Sequence, residues 1–339
     1  MAVVLFHGHQ ASTAHTYQWL GYWFDMGAAG VHIFFVISGF VIMHTSYGSG
    51  EKGMPTTRFL LKRFVRIFPI YWMCCIAYVA YQNGFGTGYD LPFWTWIGAI
   101  FLMPGDSSRI IGPGWTLSFE LFFYLSFATI LRLRALTAVT LLTGLFIATI
   151  AVGFVLRFPG PLRIAHNPLI LEFIAGCWLA YFYNRIRFRS FGLGAVSTCV
   201  GVLLFVAGAL VDYRSIPLFI VWGVPSVFIV AGSLMMEQSG KLPASINRLG
   251  RLGDSSYALY LIHVLIIAIT LDLGLRSVVP LPPGQAIAVT LVLAVFCGIL
   301  AAMIFEFLEK PLLHWLRRNV VDRFSGRPSR PARLEPVGS

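Results

Sequence analysis

Nine nearly uncharged apolar stretches, each long enough to cross a bilayer as a helix, constrain this chain more than any other feature. They lie near 27–46, 67–83, 115–131, 136–156, 167–184, 191–211, 215–235, 255–274 and 285–306. Residues 1–12, MAVVLFHGHQAS, read as the end of a further span. Residues 91–103, LPFWTWIGAIFLM, are too short and too rich in Trp to cross, and read as an interfacial segment. Only 12% of the 339 residues are charged, against about 25% in soluble domains. The expected fold is therefore all-α: a polytopic integral membrane protein of about ten transmembrane helices, the first apparently truncated.

The basic residues supply the orientation. Regions 47–66, 132–134, 185–189 and 237–251 and the tail from Lys310 hold 5, 2, 3, 3 and 7 Lys or Arg, which is 20 of the 25 present. The opposite loops hold Arg109, Arg157, Arg163, Arg214 and Arg276. By the positive-inside rule the first set faces the cytoplasm, and so does the C-terminus. A net charge of +11 is thus accounted for by topology and anionic lipid rather than by nucleic acid. The expected organisation is a membrane domain over 1–318 and a disordered, basic and Pro-rich tail over 319–339. The five cysteines fall in apolar spans without metal-ligand spacing and read as small buried hydrophobes.

Against this apolar background the charged residues stand out. Glu120 sits alone in WTLSFELFFYLSFATIL, residues 115–131. A carboxylate at that depth costs a few kcal/mol or more, so it marks a functional site or a hydrogen-bonded helix contact. Glu172, in LILEFIAGCW, is a second intramembrane carboxylate. In RFLLKRFVRIFPIYW, residues 58–72, Lys62, Arg63 and Arg66 share a helical face and Arg58 lies one turn before Lys62. Such a cluster suits a phosphorylated ligand, because the guanidinium fork grips phosphate oxygens in pairs. It suits a purely topogenic cluster equally. His7 follows AVVLF, either as a general base or as a packing histidine. SSYALYLIH, residues 255–263, carries Ser256, Tyr260 and His263 on one helical face, which fits a lined cavity or a helix contact. Ser38-Gly39, inside FFVISGFVI, permits close helix packing. Glu309-Lys310-Pro311 reads as a salt bridge or a helix stop where the last span ends.

Seven stretches in this order resemble the membrane acyltransferase family 3, which includes bacterial O-acetyltransferases of surface polysaccharides. They are VVLFH at 3–7, FFVISGFVI at 34–42, RFVRIFPIYW at 63–72, WTLSFELFFY at 115–124, NPLILEFIAG at 167–176, SSYALYLIH at 255–263 and EKPL at 309–312. The resemblance implies transfer of an acyl group, usually acetyl, from cytoplasmic acyl-coenzyme A to a sugar hydroxyl at the outer face of the bacterial inner membrane. Acyl-coenzyme A is then a co-substrate rather than a bound cofactor. His7 takes the place of the family's first-helix histidine, Arg63 and Arg66 that of its Arg-x-x-Arg motif, with Lys62 and Arg58 beside them, and Glu120 that of its acidic residue. Ser38, Trp115, Ser118 and Tyr124 are candidates to line the substrate cavity. So are Glu172, Tyr257, Tyr260 and His263.

The family also carries an Arg or Lys eleven residues before the histidine, a position that here falls before Met1, so the true start is expected upstream, the alternative being a truncated, inactive copy. Glu120 lies five residues past Trp115, about 7.5 Å along an inward-running helix. It is thus expected in the outer half of the membrane, at the depth of His7, whose ring it would orient or whose protonated form it would stabilise. His7 is expected to deprotonate the sugar hydroxyl or to carry the acyl group itself. The competing expectations are a transporter or flippase of an anionic lipid-linked sugar, and a non-catalytic membrane partner.

Overall fold

In a computed structural model the expected spans are helices. The structure describes residues 1–13, 27, 29–86, 88–156, 158–187, 190–210, 216–243, 253–270, 272 and 282–324. The helices are α1 (Ala2–Thr13), α2 (Gly30–Tyr47), α3 (Thr56–Phe85), α4 (Phe93–Ile100), α5 (Gly114–Ile130) and α6 (Ala135–Leu156). They continue with α7 (Ile170–Tyr183), α8 (Phe191–Leu210), α9 (Val224–Gln238), α10 (Ser256–Thr270) and α11 (Pro283–Ile304). Six helical stretches among the described residues are long and apolar enough to cross a membrane, and α7 and α10 are shorter apolar helices. The protein is an all-α polytopic membrane protein. Outward side chains such as Leu203 and Leu210 on α8 and Val292 and Ile299 on α11 are exposed, as lipid-facing residues should be. Cys199 on α8 is also exposed, unlike the other four cysteines.

The centre of the bundle is an aromatic stack. Phe173 of α7 lies between Phe35 of α2, at a ring separation of 4.5 Å, and Phe123 of α5, at 4.7 Å. Two glycines let α2 and α7 approach closely enough to form it. A Cβ on Gly39 would collide with the Phe173 carbonyl, and one on Gly176 with the Val36 carbonyl. Where lipid is as apolar as the side chains, such backbone proximity supplies the packing that drives association. The expectation placed on Ser38-Gly39 is met in Gly39.

The basic loops meet on one face. Arg134, after α5, donates to Glu51, before α3, at 2.8 Å, and Arg185, after α7, lies 3.7 Å from the same carboxylate. The hydrogen bond from Arg134 holds the Glu51 carboxyl below its usual range. Gln238, at the end of α9, donates to the Tyr183 carbonyl, and Arg58 of α3 lies 3.7 Å from Asp322 near the C-terminal end of the described chain. The five regions counted as one face by charge are therefore one face by contact.

The segment at 91–103 holds α4, a helix of 8 residues, too short to cross, followed by a turn that packs into the bundle. Phe93 and Trp94 are exposed at its start, but Ala99 and Leu102 are buried. Tyr71 donates to the Ala99 carbonyl at 2.7 Å, Trp72 to Ile100 at 3.0 Å and Ser118 to Leu102 at 2.7 Å. Side chains of α3 and α5 thus satisfy the carbonyls at the end of α4 and in the buried turn that follows it. Leu102 adopts a φ of 58°, rare outside glycine, at the turn back.

Helix α3 starts at Thr56, before the expected span at 67–83, and carries the whole basic cluster and Pro69 within one 30-residue helix. Pro311 does not stop the last helix. A π-helical turn over Phe305–Glu309 reshapes the helix just before the proline, and helix resumes over Lys310–Leu316. It runs on to Phe324, beyond the expected boundary at 318, because Val321 is buried against Val65 and Leu313 while Asp322 meets Arg58. Residues 325–339 of the expected tail lie outside the described residues, as does the loop at 244–252.

Candidate functional site

A cavity of about 1040 Å³ runs from the basic face into the bundle. Arg63 and Arg66 of α3 line it together with Lys310, His314 and Arg317 of the helix that continues α11. Its inner end is formed by Ser38 of α2 and by Glu120 and Tyr124 of α5, with Tyr257 of α10 on its wall.

The two arginines are held by different means. Arg63 donates from Nη2 to Thr45 Oγ1 at 3.1 Å, and its guanidinium lies over the rings of Phe59 and Tyr124, 5.4 and 5.5 Å from their centroids. Arg66 pairs with the carboxylate of Glu309, which is 0% exposed, and lies 5.2 Å from the centroid of Tyr257. Tyr257 in turn donates to the Ile67 carbonyl at 2.8 Å. Removing one partner of a buried pair of this kind costs about 3–5 kcal/mol, so Arg66 also secures the end of the last helix. Planar cations braced on aromatic rings, with the Lys310 ammonium nearby and paired to Glu306, make a site suited to phosphate oxygens.

Glu120 is 5% exposed and accepts hydrogen bonds from Ser38 Oγ, at 2.6 Å, and from Tyr124 OH one turn along α5. Two hydroxyl donors together with the nearby Arg63 offset the cost of placing a carboxylate inside the bundle. Glu120 lines the cavity that reaches the basic face. Among the described residues no hydrogen bond joins Glu120 to His7.

His7 pairs with a second histidine. Its ring centroid lies 5.3 Å from that of His263 on α10, and His263 lies 5.9 Å from Tyr260. Tyr260 stacks on Phe34, which lines the cavity. A short aromatic relay thus joins the two imidazoles to the cavity wall. His263 is 0% exposed, its Nδ1 meets the Leu259 carbonyl at 3.1 Å, and its Nε2 has no hydrogen-bond partner. A buried nitrogen left unpaired costs about 1–3 kcal/mol, which makes this one conspicuous.

Of the residues singled out in the sequence, Ser38, Arg63, Arg66, Glu120, Tyr124, Ser256 and Tyr257 line one cavity. His7 and His263 pair beyond it. The others have structural partners outside that lining. Arg58 is engaged by Asp322, and Lys62 lies off the cavity wall. Ser118 holds the Leu102 carbonyl, Trp115 packs on Phe35 and Phe119 at 40% exposure, and Tyr260 donates to the Pro113 carbonyl. Glu172 accepts His32 Nδ1 at 2.6 Å, a pairing set by the close contact of α2 and α7. The sequence reading missed Lys310, His314 and Arg317. Their spacing of four and three places them on one helical face, a signal hidden because the region read as a topogenic tail.

Comparison with known proteins agrees with this picture. A family model described as an acyltransferase domain matches residues 1–308. The exopolysaccharide production protein ExoZ of Rhizobium meliloti is 30% identical over 92% of this chain and 98% of its own. Acyltransferase MdmB of Streptomyces mycarofaciens is 26% identical, covering 71% and 68% of the two chains. Nodulation protein 10 of Rhizobium leguminosarum bv. viciae is 25% identical, covering 80% and 83%. No solved structure matches.

Proposed function

Because this chain belongs to the membrane acyltransferase family 3, whose model spans residues 1–308, we propose that it moves an acetyl group from acetyl-coenzyme A to a carbohydrate hydroxyl. The enzyme is an O-acyltransferase, and donor, acceptor and sidedness are the parts proposed. The single observation that carries the donor is the cavity: Arg63, Arg66, Lys310 and Arg317 outnumber Asp254 and Glu306 in its lining, and it reaches Glu120. The coenzyme A phosphates would rest on Arg63, Arg66, Lys310 and Arg317. The narrow pantetheine arm would extend inward past Tyr257 and Tyr124. Positive-inside logic makes the basic face and the C-terminus cytoplasmic in the plasma membrane, where acyl-coenzyme A is available. The carbohydrate acceptor is supported by the name of one relative, an exopolysaccharide production protein.

His7 acts as the base in this scheme. The acceptor hydroxyl gives its proton to a His7 nitrogen as its oxygen attacks the thioester carbon. The new C–O bond forms, the C–S bond breaks, and the thiolate leaves with the proton returned by His7. A base of this kind contributes about 10²–10⁴-fold in rate. Glu120 holds the inner end of the donor site through Ser38, Tyr124 and the charge of Arg63, rather than orienting His7 by direct contact.

Purified protein in lipid vesicles, given radiolabelled acetyl-coenzyme A and a surface-polysaccharide extract, should place label in carbohydrate. His7→Ala should abolish this transfer without changing membrane insertion. Intact thioester with the parent protein would favour transport or a non-catalytic role instead.

A further inference from the structure

We infer that His263 is the positioning residue for His7: its Nε2 accepts the ring N–H of His7 and so decides which His7 nitrogen is free to act as base. This rests on the role proposed for His7. A carbonyl oxygen can only accept, so the contact of His263 Nδ1 with the Leu259 carbonyl places the proton on Nδ1. In the neutral ring Nε2 then carries a lone pair. That atom is buried, has no partner, and belongs to a fully enclosed side chain. Tyr260 is committed to the Pro113 carbonyl and the Thr116 hydroxyl, and the His7 ring lies 5.3 Å from His263, centroid to centroid. The torsion that turns an imidazole about its own axis is broad, so His7 can present an N–H to Nε2 at small cost.

A general base must keep a lone pair on the nitrogen that faces its substrate, and its other nitrogen must then hold the proton. Catalytic imidazoles commonly have that second nitrogen fixed by a carboxylate or carbonyl acceptor. Among the described residues His7 has no carboxylate beside it. Glu120 is engaged by Ser38 and Tyr124, and Glu172 by His32. His263 supplies the acceptor without adding a charge. Leu259 fixes the tautomer of His263, and His263 fixes that of His7.

The test compares His263→Gln, whose amide oxygen reaches the place of Nε2, with His263→Phe and His263→Met, which keep the bulk and remove the acceptor. All three are assayed for acetyl transfer in lipid vesicles, beside His7→Ala and with thermal melts. The Phe and Met variants should lose at least about tenfold in kcat, a fraction of what a general base contributes, with the donor KM unchanged. The acidic limb of their pH profile should move, and the Gln variant should stay near parental turnover. Parental turnover in either apolar variant, or equal losses in Gln and Phe, would overturn the inference. If His7→Ala itself retains activity, the role of His7 fails instead, which separates the two outcomes.

Discussion

Ser38 donates its hydroxyl to the Glu120 carboxylate at 2.6 Å, joining α2 to α5 at the inner end of the cavity. The bond explains two features with one contact: how a carboxylate is tolerated inside the bundle, and why a serine stands next to the glycine that lets α2 meet α7. Ser38→Ala leaves Glu120 with Tyr124 as its remaining hydroxyl donor and should lower stability by about 1–3 kcal/mol. Glu120→Gln should fold but lose acyl transfer. Thermal melts and transfer rates on the two variants separate these effects, and a fully active Gln variant would contradict the role given to the carboxylate.

Arg63 and Arg66 should differ on removal. Arg63→Ala removes a ligand-facing cation and should raise the donor KM about tenfold, the cost of one charge-assisted contact of roughly 1.4 kcal/mol. Arg66→Ala also strands Glu309, buried at 0% exposure, and should lower stability by about 3–5 kcal/mol. Adding Glu309→Gln should restore the melting temperature and leave the raised KM untouched. A double variant as unstable as the single one would show that the pair is not what secures the last helix.

The cations on the C-terminal helix give a sharper test of where the donor sits. Arg317→Glu reverses a charge at the mouth of the cavity and should raise the donor KM more than Arg58→Glu, whose side chain faces Asp322. Kinetics at low and moderate salt should show the Arg317 effect shrinking as ions screen it. Equal effects at both positions would point to general surface charge.

The spans, the shared face of the basic loops and the cavity residues Arg63, Arg66 and Glu120 were legible because each is a local pattern. Apolar runs have a fixed length, positive charge has a side, and a lone carboxylate has a cost. The partners of those residues were not legible. Glu120 was paired by expectation with His7 because both have unusual polarity at similar depth, yet Ser38 and Tyr124 reach it first. Which helix faces which depends on close approaches such as Gly39 against Phe173, which single-sequence periodicity does not encode. The contacts of segment 91–103 were hidden for the same reason. Its carbonyls are satisfied by Tyr71, Trp72 and Ser118, donors distant in sequence.

Those approaches predict a contrast among glycines. Gly39→Val and Gly176→Val push side chains into backbone and should lower yield and melting temperature sharply, since neither helix can yield without the other. Gly84→Ala, near the end of α3 with open space around it, should be neutral or stabilise by about 0.4–1 kcal/mol. Melting curves in detergent check both.

The most direct measurement uses membrane vesicles of known sidedness, with labelled acetyl-coenzyme A supplied to one face. Transfer to carbohydrate should require donor on the face carrying Arg63, Lys310 and Arg317, and should fall when Arg63 is replaced by Ala. Label reaching carbohydrate only when the donor is supplied to the opposite face would contradict it.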